Sequence, residues 1–313
     1  MYAYLARRLL AAIPVIAVVA LFVFLLLHLS PGDPAAVIAG DLATAQDIDR
    51  IRAKLGLDRP LHIQFVEWVW RLAQGDLGTS IFSNLPVSRL IGQRIEPTIS
   101  LTIMTMIVAI LAAVPIGIVA AWKAGTWIDR SIMGFAVLGF SVPIFALGYF
   151  LIWVFAVRLE LLPVQGYTPI RQGLLPFLEN LILPSTALGI VYVALIARMT
   201  RASMIDVLNQ DYIRTAHAKG LSRLPILLIH ALKPAAVPIV TTIGIGVALL
   251  LGGVVVTESV FNIPGLGRLT VDAILRRDYP VIQGVILVFA VIYLAINLAV
   301  DLLYTVLDPR IRY

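Results

Sequence analysis

Asp211-Tyr-Ile-Arg-Thr-Ala-His-Ala-Lys-Gly220 is a polar island between two long apolar stretches, about 181–197 and about 235–257. It reads as a short, isolated helix. Asp211 is a good N-cap, Lys219 in the last turn suits the negative end of the helix dipole, and Gly220 can take the left-handed position that ends a helix. The helical part is about eight residues, roughly 12 Å at 1.5 Å per residue. A helix that short is marginal in water unless something packs on it. Ser222 is then an N-cap for the helix that follows.

The composition around this island explains its setting. The chain has 313 residues, of which 60% are hydrophobic and 13% charged, and its mean hydropathy is +0.96. A soluble domain carries about 25% charged residues. Charge-free stretches of about 20 residues are long enough to cross a bilayer as helices. The expected fold is therefore an all-α integral membrane protein with six transmembrane helices, at about 9–29, 99–121, 132–157, 181–197, 235–257 and 281–300. The net charge of +6 does not signal nucleic-acid binding, because the basic residues concentrate beside spans. The absence of cysteine excludes disulfides, thiolate metal sites and a cysteine nucleophile.

Orientation follows from the basic residues of short loops. One side holds Arg7, Arg8, Lys123, Arg130, Arg198, Arg201, Arg214, Lys219, Arg223, Lys233, Arg310 and Arg312. The short loops of the other hold Arg158, Arg171, Arg268, Arg276 and Arg277. Both termini and the 211–220 island are expected in the cytoplasm. The first span has the basic start of a secretory signal, with Ala35, Ala36 and Ala39 beyond it. Its apolar stretch exceeds the 7–15 residues of a typical signal core, so it is expected to be retained.

The chain divides into a tail and first span (1–30), an extracytoplasmic segment (31–98) and a core of spans (99–313) with a cytoplasmic loop at about 199–234. The outer segment carries two helical patterns. Ile48, Ile51 and Leu55 share one face, with Gly56 as a stop; Phe65, Trp68 and Leu72 share another. These helices either cap the bundle at the membrane interface or offer a docking surface.

Other motifs run in order along the chain: Pro31-Gly-Asp-Pro-Ala35, Leu55-Gly-Leu-Asp-Arg-Pro-Leu61, Gly75-Asp-Leu-Gly-Thr-Ser80, Ser141-Val-Pro-Ile-Phe145, Glu258-Ser-Val-Phe-Asn-Ile-Pro-Gly-Leu-Gly267, Asp278-Tyr-Pro280 and Asp308-Pro-Arg-Ile-Arg-Tyr313. Together they resemble the first permease subunit of dipeptide and oligopeptide ABC importers, the DppB/OppB type. The island resembles the EAA loop of these permeases, with Thr215 and Ala216 at the small positions and Gly220 at the glycine. Arg214 departs from the acidic residue that usually opens the motif. The resemblance implies a type I ABC importer permease fold and a heterodimer with a second, homologous permease. It also implies two cytoplasmic ATP-binding subunits, an extracytoplasmic solute-binding protein and a prokaryotic cell membrane. Nickel or glutathione importers of the same family are the close alternative.

No G-x-x-x-x-G-K-[ST] phosphate loop occurs: Gly220 is followed by Leu-Ser-Arg and Gly125 by Thr-Trp-Ile. No cofactor is expected in this chain, which is not expected to be an enzyme; ATP and Mg²⁺ would be bound by the partner subunits. Asp211, Tyr212, Ile213, Arg214, Thr215, Ala216, His217, Lys219 and Gly220 are then the expected coupling helix. Tyr212 and Ile213 would fill an apolar groove on the ATPase, and Arg214, His217 and Lys219 would steer the contact. Uncharged Ser141, Thr241 and Thr242 are candidates for the translocation path. Glu258, Phe261, Pro264, Gly265 and Gly267 form a candidate outer gate or docking surface, or an inert cap. The spans are poor in ionisable groups, which disfavours a proton-coupled secondary transporter. Glu179, Glu258 and Asp301 are expected to be solvated at the interface or to cap helices near span ends, and His28 to be interfacial rather than a proton relay. Missing HExxH and GxSxG motifs disfavour an intramembrane enzyme. Gly244, Gly246, Gly252 and Gly253 are expected to permit close helix contacts, and Pro115 and Pro143 to bend their helices or break hydrogen bonding locally.

Overall fold

In the computed structural model, residues 2–29, 34–39 and 43–307 are described. The motif residues Pro31, Gly32 and Asp33 and the terminal Asp308–Tyr313 lie outside them. The helices are α1 (Tyr2–Leu29), α2 (Pro34–Ala39), α3 (Ala45–Leu55), α4 (Leu61–Ala73), α5 (Val87–Trp122), α6 (Trp127–Ser141), α7 (Ile144–Leu151), α8 (Leu174–Leu208), α9 (Asp211–Ala218), α10 (Arg223–Pro225), α11 (Leu232–Val260), α12 (Leu266–Arg276) and α13 (Tyr279–Leu307). Among the described residues there is no strand beyond an isolated Thr79–Pro86 bridge.

Among the described residues, five helices are long and apolar enough to cross a membrane. A sixth span arises if α6 is joined to the segment Ile144–Arg158, which bends from it by 102°. The break falls within the span expected at about 132–157, with Pro143 at the N-cap position of α7 (φ −59°, ψ 134°). Proline lacks the N–H that a continuous helix needs, and it pushes Val142 to extended backbone (ψ 127°). Pro115 sits inside α5, which continues through it as one helix. The fourth span extends at both ends beyond 181–197, because α8 runs for 35 residues.

The chain forms two compact units: Met1–Ile95 with Leu269–Leu294, and Glu96–Arg268 with Ala295–Tyr313. In the first, Phe65 and Trp68 of α4 pack on Phe24 of α1, with ring centroids 5.2 and 5.7 Å away. His28 Nε2 lies 3.1 Å from Gln64 Oε1. The shared face read from Phe65, Trp68 and Leu72 is thus a packing face. Asp278, 5% exposed, accepts hydrogen bonds from Ser80 Oγ (2.6 Å) and the Ile81 amide (3.2 Å). It anchors the turn between α12 and α13, where Arg277 is in left-handed backbone (φ 56°).

The second unit is centred on α8. Leu181, Leu188, Ile196 and Met204 of this helix are fully buried, with Leu101 of α5 and Leu250 of α11 in the same apolar cluster. In α11, Gly244 meets Val300 and Gly253 meets Leu188 at distances that leave no room for a Cβ, and Gly246 faces Tyr192. Gly252 has nothing within 4 Å. Close packing therefore accounts for three of these glycines.

Candidate functional site: a coupling helix, a cavity and a buried outer clasp

The 211–220 island folds as α9. Its N-cap is Gln210, not Asp211. Gln210 adopts extended backbone (φ −76°, ψ 149°), and the Asp211 carboxylate accepts instead from Arg214 Nη1 at 3.3 Å. Asp211 still places negative charge in the first turn, where it suits the dipole. At the other end Lys219 is the cap residue just past the helix, and Gly220 takes φ +77°. The Leu221 amide then reaches Ala216 O (3.3 Å) and the Gly220 amide reaches His217 O (2.9 Å). This is a Schellman ending, satisfying carbonyls that would otherwise be orphaned. Ser222 is the next N-cap, without a side-chain cap bond.

The two faces of α9 differ. Ile213 is 1% exposed and Ala216 7% exposed, and both join the unit's core with Ile226 and Ala231. Ile213 and Ala216 are therefore turned into this chain rather than outward, unlike the groove-filling role read for Ile213 from the sequence. They hold the short helix on the second unit, supplying the packing that an eight-residue helix needs. Asp211, Tyr212, Arg214, Thr215, His217, Lys219 and Gly220 face outward. His217 Nδ1 lies 2.9 Å from Ile213 O.

One ion pair braces the segment that carries α9. Asp129, at the start of α6, is 3% exposed and receives Arg201 of α8 in a two-pronged contact. Nε donates to Oδ1 at 2.5 Å and Nη2 to Oδ2 at 2.7 Å. The Gly125 amide adds a third bond at 3.0 Å. The planar guanidinium fork matches a carboxylate in a way that lysine cannot. Asp129→Asn is expected to destabilise the protein by about 3 kcal/mol, because it strands a half-buried charge. The double variant Asp129→Leu, Arg201→Met should recover most of that loss. Thermal melting of the detergent-solubilised protein checks both.

The three path candidates separate. Ser141 is exposed and lines a cavity of about 270 Å³ with Met133, Val137, Phe140, Ala194 and Arg198. Thr242 is 5% exposed and Thr241 half-buried, and neither reaches that cavity. All three hydroxyls donate to the carbonyl four residues back, at 2.8 to 3.0 Å.

At the far end of α11, Glu258 is neither solvated nor at a surface. It is fully buried. Its carboxylate accepts from Thr98 Oγ1 (2.6 Å) and from the Arg268 amide (2.9 Å), while Thr98 Oγ1 accepts from the Leu266 amide (2.8 Å). Glu258 and Thr98 together cap the N-terminus of α12, where amides are unpaired and a negative charge is favoured. Gly265 and Gly267 line this carboxylate so closely that a Cβ on Gly265 would stand 2.0 Å from Glu258 Oε1. Phe261 is 3% exposed, and its carbonyl accepts from the Gly166 amide at 3.0 Å. Of the outer residues singled out in the sequence, Pro264 alone is exposed. Glu258, Phe261, Gly265 and Gly267 are buried together and build a clasp.

Sequence reasoning missed Tyr167. Its hydroxyl lies 3.2 Å from both Glu96 Oε1 and Ser100 Oγ. Burial, together with the Glu96 carboxylate, raises its phenol above the usual range, so it stays a donor at physiological pH. Nothing local in the sequence marks this residue, since its partners sit some 70 positions earlier.

Comparison with known proteins agrees with this anatomy. Residues 113–313 match the family described as binding-protein-dependent transport system inner membrane component. Residues 1–102 match the N-terminal region of such membrane components. A probable peptide ABC transporter permease protein of Sinorhizobium fredii is 54% identical over 310 residues, 99% of each chain. The glutathione transport system permease protein GsiC of Salmonella typhi is 48% identical over 310 residues, again 99% of each. In solved structures, the inward-facing MetNI methionine ABC transporter is similar in fold. It gives a TM-score of 0.59 at 17% identity, covering 71% of this chain and 97% of that one. With six potential spans, a two-faced helix between α8 and α11 and this match over most of its length, the chain belongs to the binding-protein-dependent transport system inner membrane component family.

Proposed function

We propose that this chain is the permease subunit of an ATP-driven importer that carries short peptides into the cytoplasm. The observation that carries the reading is the anatomy of α9. One face is buried in the permease core and the opposite face is exposed; a short link joins α9 to the long helix α8, and α10 with the helical turn Ile226–Ala231 leads from it into α11. A helix so placed can pass a push from a bound subunit into the bundle, biasing a two-state equilibrium between outward and inward access. Asp211, Tyr212, Arg214, Thr215, His217, Lys219 and Gly220 form the contact. Two ATP-binding subunits supply ATP and Mg²⁺, and a second, homologous permease completes a heterodimer. A solute-binding protein delivers cargo on the opposite side, with both termini cytoplasmic. Ser141 lines a stretch of the path, and the Glu258 clasp holds the outer ends of α11 and α12 as the pathway opens and closes.

Peptide cargo is supported by the relatives named as peptide permeases. Glutathione, itself a tripeptide, is the second reading, favoured by the 48% identity to the glutathione permease. Uptake of labelled dipeptide and labelled glutathione by cells with and without this gene separates the two. Dipeptide uptake that depends on the chain and survives collapse of ion gradients is the expected result. Loss of glutathione uptake alone would favour the second reading, and uptake that stops with the gradients would reject an ATP-driven importer.

A further inference from the structure

Trp122 closes α5, and two cations lie over its indole. Lys123 Nζ is 4.4 Å from the ring centroid and Arg223 Cζ is 5.6 Å from it. Each is favourable alone. Together they bring two like charges within one Debye length, ~10 Å in 0.1 M salt. Among the described residues neither cation has a carboxylate partner. The nearest acidic residues in sequence are already engaged, Asp129 by Arg201 and Asp211 by Arg214. An anion resting between the two cations would relieve their repulsion.

The surface beneath them says which anion. Ile103, Ile107 and Leu111 recur every four residues on α5, and Trp122 follows three turns on, so all four lie in one helical stripe. Their exposures are 55, 46, 71 and 43%. The stripe is aliphatic along the helix and cationic at its end. That is the complement of a phospholipid, with an acyl chain along the helix and a phosphate at its mouth. Trp127, 74% exposed, adds a second indole five residues on, and such rings favour the headgroup region. An acidic soluble partner would engage the cations but leave the aliphatic stripe unused.

We propose that Trp122, Lys123 and Arg223 form a site for the phosphate of an anionic phospholipid, in the leaflet that α9 faces. The two basic residues reach it from two elements, Lys123 just past the end of α5 and Arg223 at the start of α10, so a bound headgroup would tie these two together.

The test uses the assembled importer in nanodiscs of phosphatidylcholine doped with phosphatidylglycerol, with bound lipid counted by native mass spectrometry. The wild type should retain phosphatidylglycerol in preference to phosphatidylcholine. Lys123→Gln with Arg223→Gln should weaken that retention about 30-fold, while Lys123→Arg with Arg223→Lys keeps it. Equal retention of phosphatidylglycerol by the glutamine double variant and the wild type overturns the site. So does a loss of an importer subunit from the glutamine variant with lipid retention unchanged, which would make the patch a protein contact.

Discussion

A Gly220→Val permease is expected to assemble with its ATPases and to hydrolyse ATP, yet to import about tenfold more slowly than the wild type. Gly220 sits at φ +77° with nothing within 4 Å of where a Cβ would be. The substitution therefore meets no steric neighbour, and its whole cost is backbone. Left-handed backbone costs an ordinary L-residue roughly 1–2 kcal/mol, and a β-branched side chain is among the worst there. A penalty near 1.4 kcal/mol is a tenfold change in an equilibrium. The residue would relieve it by leaving the left-handed region, which undoes the Leu221-to-Ala216 bond and re-aims the link to α10. Gly220→Asn is the discriminating control, because asparagine tolerates this conformation. Uptake and ATPase activity measured side by side in proteoliposomes check the result. Normal uptake by the valine variant would show that the turn at Gly220 does not transmit motion.

Glu258→Ala is expected to cost about 2–6 kcal/mol of stability. It strips the acceptor from the Thr98 hydroxyl and the Arg268 amide, and each buried donor left unpaired costs about 1–3 kcal/mol. The N-terminus of α12 also loses its negative charge. Gly267→Ala attacks the same clasp from the other side. Its Cβ would lie 2.6 Å from Val255 Cα, and main chain cannot swing away as a side-chain tip can. Glu258→Gln should be the mildest of the three, since it keeps one acceptor oxygen. Thermal melting of the solubilised protein ranks them, and proteolysis within 258–280 reports whether the α11–α12 turn has opened. A melting temperature for Glu258→Ala equal to that of the wild type would remove the clasp from the account.

Both predictions concern motifs visible in the sequence, but they were legible to different degrees. The left-handed glycine of α9 was readable because a helix ending is a local event, set by residues within one turn of each other. The same holds for Gly56, which stops α3 at φ +69°. The cap at the other end of α9 was misplaced by one residue, since Gln210 and Asp211 are both compatible with an extended residue before a helix. Glu258 caps a helix, one of the two roles expected of it, but its burial was not legible. A glutamate near a span end is ordinarily solvated, and nothing near it in sequence announces that Thr98, 160 positions earlier, would be its partner. The glycines at 265 and 267 were the available clue. Two glycines after a proline read as a turn, and their tight approach to a buried carboxylate emerges only in three dimensions.

By itself the sequence determined that this is a helical membrane protein, where its apolar spans run, and that a two-turn polar helix interrupts them. Bilayer thickness, helical periodicity and the conformational freedom of glycine are local constraints, and each can be read from a short window of residues. Only the tertiary structure decided that Ile213 and Ala216 face inward, that α6 and α7 part at 102°, that Asp129 holds Arg201 across 72 positions and that Glu258 is buried. Burial and pairing are properties of what a side chain meets, and what it meets is set by residues far away along the chain.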